Sequence, residues 1–301
     1  MNFIKDAFNQ SLTRRAFVGS AASLLTLPAF SSAVSSENNA LTVQQVIDII
    51  LKNIPVPPIA NTTDTLKAGS PDQPVTGIVT TMFTTLQVIR KAIALKANFI
   101  IAHEPTFYNH LDETAWLEND KVWQFKNDLL KKNDIAVWRF HDYWHSHKPD
   151  GVLMGVLTAL GWEKQYNSDK PTILSIPTTS LQEIVKRCKE KLEIAHLRVI
   201  GDLSQPCTRI GLIPGAAGGR RQMQLLQSES PDVLLCGESP EWETIEYMRD
   251  AQEAKIKQAL IVLGHSVSEE PGMSYLVPWL QPKVQGIPVT HVPSKDPFQW
   301  L

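Results

Sequence analysis

Several things are scarce in this sequence, and each scarcity removes a class of function. There are only three cysteines among 301 residues, and no two are spaced as C-x-x-C. At most one bridge could form within the chain, so disulfides do not staple the fold. Basic charge shows no excess: Lys+Arg total 29 against 31 Asp+Glu, which leaves no polybasic footprint for nucleic acid or acidic lipid. The apolar run from Ala16 to Phe30 is shorter than the ~20 residues that span a hydrocarbon core, so it makes no stable membrane anchor. No internal repeat is visible, and low complexity is confined to the linker-like stretch Ser35–Ala40.

What is present begins with an address. Arg14-Arg15 and the aromatic Phe17 open the mild apolar run, which ends near Pro28 and is followed by Ser31-Ser32-Ala33. Paired arginines before such a run, with small residues at a cleavage position, read as a twin-arginine signal peptide over residues 1–33. The expected partner is the twin-arginine translocase, and the expected location is periplasmic or otherwise exported. A linker over 34–40 then leads to a long α/β segment over 41–301, large enough for a real core.

Within that segment apolar runs alternate with helical periodicity. Helices are predicted over Thr42–Leu51, Thr84–Lys96, Asp120–Asn133, Pro149–Leu160, Arg220–Ser228, Glu241–Ala254 and Gly272–Leu280. Strands are predicted over Val75–Thr80, Asn98–Ala102, Ile135–Phe140, Arg209–Ile213, Val233–Cys236, Ala259–Leu263 and Ile287–Val292. A middle section, Thr172–Ile200, reads as strand, helix and strand. Such alternation implies crossover units and largely parallel sheets flanked by helices. The expected division is a first lobe over 41–165, a connecting section over 166–207 and a second lobe over 208–301.

The strand ends carry the chemistry. Phe99–Ala102 runs into His103-Glu104, Ala136–Phe140 into His141 with His145 and His147 close behind, and Leu260–Gly264 into His265 with Glu269 four residues on. Val233–Gly237 runs into Glu238. In open α/β sheets ligands bind beyond the carboxyl ends of strands. One histidine there is most often a hydrogen-bonded surface group. Three separate strands that each deliver histidine, two with a carboxylate nearby, suggest a shared metal site. His-x-x-x-His and His-x-x-x-Glu place both groups on one face if the turn after the strand is helical.

These segments resemble the Nif-three-like dinuclear metal-centre family, often labelled GTP cyclohydrolase type two. The resemblance rests on Val75–Thr81, Asn98–Pro105, His141–His145, Gly211–Gly219, Asp232–Glu238 and Gly264-His265-x-x-x-Glu269. It implies a two-lobed α/β fold with two divalent metal ions between the lobes, and often a ring-shaped homo-hexamer. It implies the ligand set His103, Glu104, His145, His265 and Glu269. Two positions depart from the family pattern: Glu104 stands where histidine is usual, and His145 where aspartate is usual. The exchange conserves ligand charge, which suggests a retuned centre in which Glu104 takes over bridging and neighbours His145.

Two nearby cations favour hydrolysis, so a metal-dependent hydrolase of a small substrate is expected. The alternative is a non-catalytic metal-binding or metal-delivery protein. Zn, Mn and Fe all suit this ligand set. Glu238 or His141 is placed for proton transfer, or for an outer hydrogen bond to a ligand. Gly215–Gly219 with Arg220-Arg221 suits either an anion at a helix start or a tight turn. Tyr143 and Trp144 are candidates to line a substrate pocket. Export argues against a nucleoside triphosphate as substrate.

Overall fold

The computed structural model describes residues 40–299; the expected twin-arginine leader and most of the expected linker lie outside the described residues. The first half of the chain gives α1 (Val43–Lys52), β1 (Leu66–Ala68), β2 (Ile78–Thr81), α2 (Leu86–Ala94), β3 (Phe99–Ala102) and α3 (Lys121–Lys132). It continues with β4 (Ala136–Arg139), α4 (Asp142–Ser146) and α5 (Gly151–Leu160). The second half gives β5 (Ile173–Ser180), α6 (Leu181–Lys191), β6 (Arg198–Ile200), β7 (Pro206–Ile213), α7 (Gly219–Glu229) and β8 (Val233–Cys236). Then come α8 (Glu246–Glu253), β9 (Ala259–Val262), α9 (His265–Leu280) and β10 (Val289–His291).

The strands form two five-stranded sheets, in the orders β1-β4-β3-β2-β10 and β5-β7-β8-β9-β6. Each has a parallel centre, and antiparallel partners occur only at the edges: β1 on β4, β5 on β7 and β6 on β9. Parallel strands must be covered on both faces. Residues of α1 and α9 cover one face of the first sheet, and residues of α2 and α3 cover the other. Residues of α5 and α6 cover one face of the second sheet, and residues of α7 and α8 the other.

Local chemistry explains the boundaries. Thr42 opens α1 with a capping box shared with Gln45, an arrangement worth ~1 kcal/mol. Gly161 closes α5 in the left-handed region at φ 68°, where glycine carries no Cβ penalty. The helix predicted to start at Gly272 starts instead at His265, because α9 accommodates Pro271 and Pro278 within it. The expected lobe boundaries also change. β5 and β6, assigned to a connecting section, are the two edges of the second sheet. β10 leaves the second half and pairs with β2 in the first sheet, Val289 against Ile78. Cys188, Cys207 and Cys236 are all buried and unbridged, and burial pushes the thiols of Cys188 and Cys236 up to about 12.

Candidate metal centre

Strand register brings the predicted residues together. Ala102 pairs with Arg139 across β3 and β4, so the residues just past each strand end emerge side by side. In the second sheet Cys236 pairs with Val262, and the Gly264 amide donates to the Gly237 carbonyl at 2.7 Å. That contact sets Glu238 beside His265. Both post-strand turns are helical, as the spacing requires. The His145 amide donates to the His141 carbonyl at 3.0 Å, and His265 and Glu269 share the first turns of α9.

The result is one cluster of four imidazoles and two carboxylates. His265 Nε2 lies 3.2 Å from Glu104 Oε1 and 3.1 Å from Glu269 Oε2. His141 Nε2 lies 3.7 Å from Glu104 Oε1, and His145 Nε2 lies 3.8 Å from Glu269 Oε1. The rings of His103, His141 and His145 stand with centroids 4.7 to 5.0 Å apart. Two overlapping groups have donor atoms all within 4.8 Å of one another, and so could hold a cation: His103, His141 and His145, and His103, Glu104 and Glu269.

Each imidazole is backed at Nδ1 and turned inward at Nε2. His103 Nδ1 meets the Phe140 carbonyl at 3.2 Å, His141 Nδ1 meets Asp142 at 2.9 Å, and His145 Nδ1 meets Asp150 at 3.0 Å. His265 Nδ1 lies 3.5 Å from Glu238. Outer acceptors of this kind orient ligand histidines and raise their basicity. His103 is the most telling. A carbonyl can only accept, so its Nδ1 carries the hydrogen and its Nε2 presents a lone pair. That Nε2 is buried without a hydrogen-bond partner, a costly state unless a cation uses the lone pair. The residues therefore fit a metal. His103 forms a fully buried floor, while His141, His145 and His265 keep 24, 30 and 23 % of their side chains exposed, leaving the cluster open on one flank.

The electrostatics of His103 agree with that reading, while a cation taken up by His145 and His265 would have to displace their protons. Burial, with His145 and His141 beside it, holds His103 well below its ordinary value, hence neutral. Burial pulls Glu104 upward, but the His265 hydrogen bond and the charges of His141, His265 and Arg139 outweigh it and hold the carboxyl low. Burial likewise opposes protonation of His265, yet Glu104 and Glu269 carry it to about 10. His145 is raised despite burial, chiefly by Asp150.

Several placements differ from the expectations. His141, offered for proton transfer, sits in the inward-facing ring set like a ligand. Glu238 stands behind His265, with its side chain 55 % exposed. Glu104 and His145 stand in one cluster, as expected, and interact electrostatically, although their closest contacts are to different partners. Glu104 also turns only Oε1 inward, because Oε2 accepts from Arg139 at 3.1 Å; Glu269 is the carboxylate with both oxygens among imidazoles. Trp144 is fully buried, its indole N–H donating to the Gly272 carbonyl, and the Tyr143 hydroxyl accepts from Ile59. Both are framework, not pocket lining. The glycine run holds carboxylates at close range. A Cβ on Gly215 would fall 2.1 Å from Glu269 Oε1, and Glu243 already accepts from the Gly219 amide, taking the place an anion would occupy. His147 packs on Trp144 and Trp279, outside the cluster.

Two residues escaped the sequence reading. Asp64 accepts from the amides of His141, Asp142 and Tyr143 at 2.8 to 2.9 Å, tying down the start of α4 from 77 to 79 positions away. Arg139 is fully buried in β4. A charge inside an otherwise apolar strand was its available signal.

A two-sheet α/β protein with a histidine–glutamate cluster across its strand ends is the class defined so far. The profile of the Duf34/NIF3 (NGG1p interacting factor 3) family matches residues 41–297, and the chain belongs to that family. It is 23 % identical to a Clostridium perfringens protein named GTP cyclohydrolase 1 type 2 homolog, over 78 % of this chain and 90 % of the relative. Among solved structures, a Staphylococcus aureus protein aligns with TM-score 0.69 at 20 % identity, covering 87 % of this chain and 99 % of its own. A Bacillus cereus protein related to NIF3 also gives TM-score 0.69, at 16 % identity, with 88 % and 100 % covered.

Proposed function

We propose that the cluster binds two divalent cations and that the protein is a metal-dependent hydrolase of a small substrate. The observation that carries the reading is the buried His103 Nε2 with no hydrogen-bond partner, on a residue that belongs to both overlapping donor groups. His103, His141, His145, His265, Glu104 and Glu269 would hold the cations, which supply Lewis-acid activation of substrate and water when bound. The chain's own part is to orient and to protect. Phe140, Asp142, Asp150 and Glu238 aim the rings, and the His103 floor keeps water from one side. Glu238, half exposed behind His265, is positioned to pass a proton between that ring and solvent. Zn, Mn and Fe remain the cations the donors suit.

The name of the Clostridium relative invites a GTP-opening reading. We do not extend it here, since we also propose that the twin-arginine leader exports the chain, away from the nucleotide pool. Exposed Leu111, Trp116, Val122 and Phe125 support assembly into a homo-oligomer, with a hexamer as our working state.

The test is elemental analysis of the purified protein, followed by assays on ester, amide and phosphoester panels. Wild type should carry metal and hydrolyse one class, and His265→Ala and Glu269→Ala should each lose most of the metal while staying folded. Two metals retained in both variants would move the site elsewhere. Metal without turnover on any panel would leave a binding or delivery protein.

A further inference from the structure

Arg139 makes three kinds of contact, all inside the protein. Its Nε donates to the His103 carbonyl at 3.3 Å, a terminal nitrogen donates to the His110 carbonyl, and Nη2 donates to Glu104 Oε2 at 3.1 Å. The side chain is fully buried, and Glu104 is its only ion-pair partner among the described residues. Guanidinium has five donors and no acceptor, and it keeps its charge. Two of its contacts are to backbone carbonyls of the 103–110 loop, so the loop that carries Glu104 also fixes the plane of the guanidinium. If Glu104 turned to offer Oε2 elsewhere, a buried cation would be left unpaired.

The cluster sees the other oxygen. Glu104 Oε1 lies 3.2 Å from His265 Nε2 and 3.7 Å from His141 Nε2. Glu269, by contrast, reaches His103 and His265 with Oε2 and His145 with Oε1.

We propose that Arg139 is a positioning residue that withdraws Oε2 of Glu104 from the ligand set, so that Glu104 would offer a cation Oε1 alone, while Glu269 keeps both oxygens for the cluster. The inference rests on the metal-binding reading above. Its consequence is selectivity. With one oxygen of Glu104 withheld and part of its charge neutralised, nitrogen donors dominate, which favours Zn²⁺ over Mn²⁺.

A glutamine at position 104 tests this directly. Arg139 needs an acceptor, so it should capture the amide carbonyl and turn the NH₂ toward the cluster, where it cannot ligate. Glu104→Gln should therefore lose as much Zn²⁺ affinity as Glu104→Ala, measured by chelator competition on the full mature chain. Pairing Glu104→Gln with Arg139→Met should free the amide to rotate and recover about tenfold of that affinity. A purely structural Arg139 would give no recovery, only a lower melting temperature in the metal-free protein. Glutamine binding Zn²⁺ about tenfold or more tighter than alanine would overturn the proposal, and that comparison stands even if the double variant fails to fold. Wild type that takes up no cation would instead sink the metal reading itself.

Discussion

Single residues in this protein are held in states that water would not allow, and Lys126 is a case away from the cluster. Its ammonium is buried, donates to the Thr106 carbonyl and lies over the rings of Phe107 and Tyr108. Burial lowers it from 10.5 to about 8, against the pull of Asp112. Between pH 8 and 10.5 the unfolded chain keeps this proton while the folded chain has lost it. The unfolded state then binds more protons, so stability contributed by this site rises with pH across that window. Wild type should gain ~2–3 kcal/mol relative to Lys126→Met between those limits. Denaturant melts of both proteins across the range check it, and parallel curves would show that the site does not titrate there.

Elements are placed by approaches too close for side chains. A Cβ on Gly272 of α9 would lie 2.6 Å from the Cα of Val152 in α5, and a Cβ on Gly155 would lie 2.4 Å from the Pro271 carbonyl oxygen. These glycines let α5 and α9 touch backbone to backbone, and α9 begins with His265 and carries Glu269. Gly272→Ala should force the helices apart, cost ~1–3 kcal/mol in thermal stability and weaken cation binding as Glu269 shifts. Unchanged cation affinity in a folded variant would separate the packing from the site. This is also where the sequence stops being readable. Strand ends, the i,i+4 pairs and most helices followed from periodicity and spacing, because those signals are local. The α5–α9 contact, the pairing of Arg139 with Glu104 and the hold of Asp64 on α4 join residues far apart in the chain, and no periodicity marks them. The strand ending Ala136-Val137-Trp138-Arg139 did carry a visible anomaly, a charge among apolar residues. Reading it required knowing which carboxylate the fold would bring alongside.

At the scale of the whole molecule, export is the leading expectation to be tested. Replacing Arg14 and Arg15 with lysine should leave the precursor in the cytoplasm, because the translocase reads the guanidinium pair and lysine is no substitute. Fractionation with an antibody to the mature protein measures this, and undiminished export of the double variant would leave only a general secretion signal.

The last strand has a consequence for how the protein is made. β10 completes the first sheet by pairing with β2, and the ring of His291 meets the carbonyl of Thr80 from 211 positions away. Glu270 ties down the same closing segment through Met82 and Ser294. A chain still emerging from the ribosome shows β2, β3 and β4 long before their edge partner exists. It also shows three of the four cluster histidines before His265 is translated. Domains tend to fold as units during synthesis, amino-terminal parts first; here the first sheet must wait for a strand that follows every strand of the second sheet in the chain. Until β9, α9 and β10 have followed, the nascent chain carries an incomplete chelator and an uncovered sheet edge.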